Sequence, residues 1–348
     1  MTRIVEPRPG YQALSVYRTE ARAVEIDLSD NTNLFGSAPS AVASLAQWAA
    51  ADPARYPTLV TEDLRLALGG WIGVAPDQVV GGCGSNDVLD STMRALGQPG
   101  ATLAYTSPTF VMTPHFAAAN SLRPVPVETL PNGDPDVDAL LATGAPLIYV
   151  ATPNNPSGRA ASQAAILRLL DRASGVVILD EAYTEYTGGT WAREAVARGN
   201  VVVTRTFSKA WGLAGLRLGY GIGAANLMAE VEKARGPYKV NAVAERAATA
   251  AVRHDQAWLD QLVTTTRTMR DSVVRRLADL GFDASGSDAN FIPIRVRDAR
   301  DAAARLAARG IGVRAFSAAP VVGDVLRVTI GPEPMMSRLL DAIADGPR

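Results

Sequence analysis

The sequence predicts an α/β fold: a large domain built on a mostly parallel sheet flanked by helices, joined to a smaller α+β domain. Two observations carry this. From about residue 60 to 240, short apolar runs alternate with amphipathic stretches, the pattern of βαβ units and a parallel sheet. After residue 245 the texture changes to long helix-like segments followed by shorter strand-like pieces. With 348 residues, 47% of them apolar, the chain can bury two cores.

The elements follow in order. The first 36 residues or so have weak periodicity and are assigned to the second domain. The strands are read in "QVVGGCG", "ATLAYTS", "LRPVPVE", "PLIYVAT", "GVVILDEA" and "VVVTRTF", with Val201–Thr204 as a buried β-branched run. Between them, "SNDVLDSTMRALG" and "ASQAAILRLLDRA" carry helical periodicity. "AERAATAAVRHDQAWLDQLVTTTRTMRDSVVRRLADLGF" reads as one or two long helices, and "NFIPIRV", "GIGVRAF" and "VLRVTIG" as strands around the helix "DAAARLAARG". The expected division is 37–245 for the large domain, with 1–36 and 246–348 forming the small one.

Bulk properties narrow the function. Lys+Arg number 34 against Asp+Glu 35, a net charge of −1 with no basic stripe, which argues against nucleic acid as partner. The single cysteine, Cys83, allows no internal disulfide and suits a reducing compartment. "MTRIVEPRPGYQ" lacks the apolar segment of a signal peptide, and no run of about 18 apolar residues occurs, so the expectation is a cytoplasmic protein without membrane contact. Its two histidines, His115 and His254, have no neighbours at metal-ligand spacing, so no metal is expected.

Ligands of open α/β sheets sit where strands end, so the loops after each apolar run are the ones to read. "GGCGSNDVLD" leads small residues into a helix with Ser85 or Asn86 as N-cap, offering free N–H groups to a phosphate. The dinucleotide fingerprint fails there, because Asp87 stands where a third glycine belongs. "PNNPSG" (153–158) is a rigid turn that can hold an amide still. In "DEAY", Asp180 follows five apolar residues, a costly place for a carboxylate without a cationic partner. Past the last strand, "TFSKAWGLAGLRLGY" sets Lys209 near Thr206 and Ser208, with Arg217 eight residues on. One ligand satisfies all four loops. Pyridoxal 5′-phosphate needs an amine, which Lys209 supplies, and a carboxylate for its pyridine nitrogen, which Asp180 supplies. Its phosphate needs a cradle, supplied by Thr206, Ser208, Arg217 and the N–H groups near Ser85 and Asn86.

These same motifs, "TFSKAWGLAGLRLGY", "DEAY", "PNNPSG" and "GSND", resemble the fold-type I pyridoxal-phosphate aminotransferases, in particular the histidinol-phosphate aminotransferase branch, over nearly the whole chain. The resemblance implies an aspartate-aminotransferase-like fold and a homodimeric transaminase of histidine biosynthesis, passing an amino group from a small-molecule donor to a 2-oxo acid. It implies that Lys209 forms the Schiff base and then moves the proton, and that Asp180 pairs with the ring nitrogen. Asn155 and Tyr183 would hold the ring's phenolic oxygen, and Tyr56, in "RYP", would reach the partner subunit's cofactor phosphate. Arg314 and Arg327 resemble the two arginines for the substrate anion, a task suited to forked, bidentate donors. Tyr11 and Tyr17 are alternatives for the substrate tyrosine. Two departures fall at the substrate pocket: "DNTNLFG" (30–36) has Thr32 and Leu34 where an acid and a proline are usual, and Phe110 replaces the tyrosine that stacks on the ring. An aromatic amino-acid aminotransferase or a threonine-phosphate-type decarboxylase would use a similar scaffold. A non-catalytic binding protein on the same fold is the alternative from another class, opposed by the intact Lys209 and Asp180.

Overall fold

A computed structural model describes residues 9–12, 14–16, 24–48, 52–284 and 286–344. Strand β1 (Ile26–Asp27) is short. Strands β2 (Val79–Gly82), β3 (Thr102–Ser107), β4 (Arg123–Glu128), β5 (Leu147–Ala151), β6 (Val176–Asp180), β7 (Val201–Thr206) and β8 (Gly219–Ile222) form one seven-stranded sheet. Its order is β2-β8-β7-β6-β5-β3-β4. The six expected apolar runs all appear in it. Strands β4, β3, β5, β6 and β7 run parallel, while β8 is antiparallel to both β7 and β2. Sequence reading passed over β8, because "GYGI" lies within a glycine-rich stretch and lacks a β-branched run. Every residue of β5 and β7 is buried. Covered on both faces, such strands need continuous apolar runs rather than alternation.

Helices close each unit by local rules. Ser162 caps the helix Gln163–Arg172 by accepting from the Ala165 N–H, and Asn241 caps Ala242–His254 in the same way. Their apolar faces, Ile166, Leu169 and Leu170 in the first and Ala244 to Val252 in the second, enter the large core. Among the described residues no helix is long and apolar enough to cross a membrane.

The second unit holds β9 (Phe291–Arg295), β10 (Ile311–Gly312), β11 (Arg314–Ala319) and β12 (Gly323–Thr329). The antiparallel order is β11-β12-β9, and β10 pairs in parallel with β1, so the N-terminal segment joins this unit. Near the expected boundary at 245, helix Ala242–His254 packs on helices Pro39–Ala46 and Glu62–Ile72 of the large unit. The 24-residue helix Gln256–Asp279 gives Leu259 and Leu262 to the large core and Val273 and Leu277 to the small one, so this one helix contributes to both.

Candidate active site

The carboxyl ends of β5, β6 and β7 open into a cavity of about 680 Å³ that the second unit closes from above. Of the residues picked out by sequence, Ser85, Asn86, Phe110, Asn155, Asp180, Tyr183, Thr206, Ser208, Lys209, Arg217, Arg314 and Arg327 all line it, as does Thr32. Parallel pairing explains the convergence. Ala151 lies in register with Asp180, and Asp180 with Thr204, so the loops after three adjacent strands emerge side by side.

Lys209 Nζ donates to the Asp30 carbonyl at 3.0 Å and lies 5.8 Å from the Tyr183 ring centroid. Enclosure lowers its pKa from 10.5 to about 7, with the nearby Arg327 and Arg217 charges adding to the effect against the opposing Asp30 and Asp180. A lysine in that range has a substantial neutral, nucleophilic fraction at physiological pH. Asp180 is 5% exposed. Burial pushes its carboxyl up, opposed chiefly by hydrogen bonds from the Tyr149 hydroxyl and the Ala182 N–H. The Tyr149 bond to Oδ2 is 2.7 Å and the Ala182 bond to Oδ1 is 3.1 Å.

The residues expected to cradle a phosphate combine a helix start with a cluster of side chains. Helix Ser85–Leu96 starts with Gly84 as its N-cap, at φ 80°, not with Ser85 or Asn86. That correction strengthens the site, since Ser85 and Asn86 become first-turn residues whose N–H groups lack intrahelical acceptors. A Cβ at Gly84 would stand 2.8 Å from Arg217 Nη2, so only glycine leaves the approach open. Arg217 Nη1 donates to Ser208 Oγ at 3.3 Å, and the Ser208 N–H donates to Thr206 Oγ1 at 3.1 Å. Arg217 itself sits at φ 54°, a left-handed conformation disfavoured for any residue with a Cβ.

At the outer wall, Arg314 and Arg327 are direct cross-strand partners in the β11–β12 pairing. The Arg327 guanidinium lies 5.6 Å from the Phe291 and Phe316 ring centroids, donates to Asn155 Oδ1 at 2.8 Å, and donates to the Ser29 carbonyl. Tyr183 OH accepts from Asn31 Nδ2 at 2.9 Å.

Two expected residues stand elsewhere. Tyr11 is 46% exposed on the short helix Pro9–Gln12, which packs against helix Met112–Ala119, and it does not line the cavity. Tyr17 lies outside the described residues. Tyr56 is 82% exposed, stacked on Tyr238 at 4.7 Å, and does not reach the cavity of its own chain. Sequence reading gave no role to Asp30, Asn31, Tyr149 or Phe316, although Asp30 and Asn31 open the segment 30–36 that it singled out and Tyr149 is a hydroxyl inside an apolar run.

A buried carboxylate, a lysine held near neutrality and a glycine-opened cradle, set on adjacent strand ends, define an enzyme that holds a flat phosphorylated heterocycle beside a reactive amine. The residues fit pyridoxal phosphate: Gly84 lies against Arg217, and Asp180 is a buried carboxyl lining the cavity, suited to pair with a cationic ring nitrogen. The chain belongs to the aminotransferase class I and II family, whose sequence pattern matches residues 23–343. It is 35% identical to the histidinol-phosphate aminotransferase of Ruegeria pomeroyi, over 97% of this chain and 96% of that one. It is 37% identical to histidinol-phosphate aminotransferase 2 of Caulobacter vibrioides, over 95% and 90%. Among solved structures, the Sinorhizobium meliloti histidinol-phosphate aminotransferase in complex with pyridoxal-5′-phosphate superposes with a TM-score of 0.88 at 26% identity, covering 99% of this chain and 98% of that one. The aspartate aminotransferase of Thermus thermophilus with maleate shares the fold, at TM-score 0.79 and 20% identity, over 93% and 91%.

Proposed function

We propose that this protein is a pyridoxal-phosphate-dependent aminotransferase that takes the amino group of histidinol phosphate and passes it to 2-oxoglutarate. The observation that carries the substrate reading is the cross-strand pair Arg314–Arg327, facing the same cavity as Lys209. Two guanidinium forks suit a phosphate dianion, for which charge-assisted bidentate contacts are strong. The near-full-length relatives named above support the same donor.

The cofactor, when bound, supplies the electron sink for charge left on the donor's α-carbon. Around it this chain's residues divide the work. Arg217, Ser208 and the N–H groups of Ser85 and Asn86 hold the phosphate. Asn155 and Tyr183 would hold the ring oxygen, and Phe110 would supply an aromatic face for the ring, where any aromatic suffices. Asp180 holds the proton on the ring nitrogen. Lys209 Nζ takes the proton from the donor's α-carbon.

The active form in this reading is a homodimer, supported by the exposed Tyr56–Tyr238 stack, which offers Tyr56 to a second copy. The cytoplasm is the proposed compartment, consistent with the one free cysteine, Cys83. A donor screen tests the substrate: purified protein is given histidinol phosphate, phenylalanine, tyrosine or aspartate, and the change in cofactor absorbance is followed. Brisk turnover of the aromatic amino acids with no response to histidinol phosphate would replace this donor with the aromatic one.

A further inference from the structure

We infer that Tyr149 is a positioning residue for Asp180, aiming its carboxylate at the ring nitrogen and keeping it ionised there. The inference rests on the aminotransferase reading above and deepens it.

Tyr149 stands at the centre of β5 in the run Leu147–Ala151 and is wholly buried. A hydroxyl there must find a protein partner, because no water reaches it. Its register partner on β6 is Ile178, two residues before Asp180, so the phenol spans one step of the sheet toward its carboxyl end. It arrives at Asp180 Oδ2, 2.7 Å away. Asp180 Oδ1 is held separately by the Ala182 N–H at 3.1 Å. One donor on each oxygen fixes the carboxylate plane. Asp180 lines the cavity and Tyr149 does not, so Tyr149 acts through Asp180 rather than on any ligand.

The direction of the effect follows from the surroundings. Burial favours the neutral acid, and the Tyr149 hydrogen bond is the foremost opposing contribution, ahead of the Ala182 N–H, the Thr204 hydroxyl and the Lys209 charge. The phenol itself stays protonated: burial, the Asp180 charge and their hydrogen bond hold it well above its ordinary range, with the hydroxyls of Thr109 and Thr113 opposing. Toward Asp180, Tyr149 is therefore the donor. Without it, Asp180 becomes more basic, and the proton it shares with the ring nitrogen moves toward the carboxylate. A neutral ring nitrogen is a poorer electron sink, so turnover falls even though nothing that touches substrate has changed.

The test uses holoenzyme reconstituted with pyridoxal phosphate labelled with ¹⁵N in the ring. In the parent the nitrogen resonance should stand in the protonated range. Tyr149→Phe keeps the ring and deletes one oxygen. It should move the resonance toward the unprotonated range and lower kcat about 10- to 100-fold, with the donor KM little changed. Site-specific 3-fluorotyrosine at position 149 keeps the hydroxyl and strengthens it as a donor, so it should move the resonance the opposite way to the Phe variant, further into the protonated range than the parent's, with kcat near the parent's. That second protein decides the matter even where the Phe variant folds poorly, because a purely structural tyrosine would leave the resonance unresponsive to donor strength. A parent with a protonated ring nitrogen and a Phe variant with the same resonance would overturn the role given to Tyr149 alone. A parent that binds no cofactor would overturn the aminotransferase reading as well.

Discussion

Lys209 should govern how fast cofactor-free protein captures pyridoxal phosphate, and Arg327 should set the pH at which it does so. Lys209 is lowered to about 7 by enclosure first and by the Arg327 charge second. The neutral amine attacks the cofactor carbonyl, so the capture rate should rise with pH through a midpoint near 7, where about half the lysine is neutral. Arg327→Ala removes a neighbouring cation, which makes the ammonium form easier to hold and raises the lysine pKa. A like charge at this range is worth on the order of one unit. The neutral fraction at pH 7 then drops from about one half to about one eleventh, and capture slows roughly fivefold. Arg314→Ala is the comparison, since Arg314 is not among the leading influences on Lys209, and it should move the midpoint less than Arg327→Ala does. Stopped-flow absorbance with excess cofactor, repeated across pH, reads both quantities. A parent midpoint close to the ordinary lysine value, or an Arg327→Ala midpoint coincident with the parent's, would refute the reasoning.

Asp180→Asn should fold and retain cofactor yet lose about 100-fold or more in kcat, because a neutral amide cannot hold the ring proton; steady-state turnover beside a cofactor titration checks this. Arg314→Ala should cut kcat/KM for histidinol phosphate about 10- to 100-fold while changing that for a simple amino acid far less, the mark of a dianion losing one fork. Lys209→Ala and Tyr56→Ala, mixed and refolded, should recover about a quarter of parent activity, since half the dimers are mixed and each mixed dimer holds one complete site; mixtures that stay inactive would count against shared sites. Glu181 is fully buried and raised to about 7 by that burial, against Arg205 and the Trp191 N–H. The folded chain thus binds more protons than the unfolded chain from about pH 4.5 to 7, and this group's contribution to stability is lost as pH rises through that window. Glu181→Gln should flatten the fall in Tm between pH 5 and 8, read by calorimetry.

What could be read in the sequence was whatever chemistry shows within a few residues. Asp180 stands out because a carboxylate ends an apolar run, and Lys209 because hydroxyls precede it and Arg217 follows in the same loop. Strands β5, β6 and β7 were legible for the same reason, since strands covered on both faces write themselves as continuous apolar runs. Partners distant in the chain were not. Asn31 holds Tyr183 from 152 residues away, and Arg327 reaches Asn155 across 172. Tyr149 reads as core, and its function exists only because β5 and β6 pair in one particular register. The boundary at 245 was drawn where composition changed, but the alanine-rich face of helix Ala242–His254 is set by what it packs against.

Residues 28–37 tie the two units together at the lysine itself. Leu28 belongs to the small core, the Asp30 carbonyl accepts from Lys209, Asn33 donates to the Ala210 carbonyl at 2.9 Å, and Ser37 donates to the Gly212 carbonyl at 2.7 Å. A displacement of the small unit is thereby delivered to the Lys209 amine of the cofactor-free chain. For anyone cutting or permuting the chain, the junction after residue 36 is the one to leave intact, because severing it would remove this tether while leaving both cores whole.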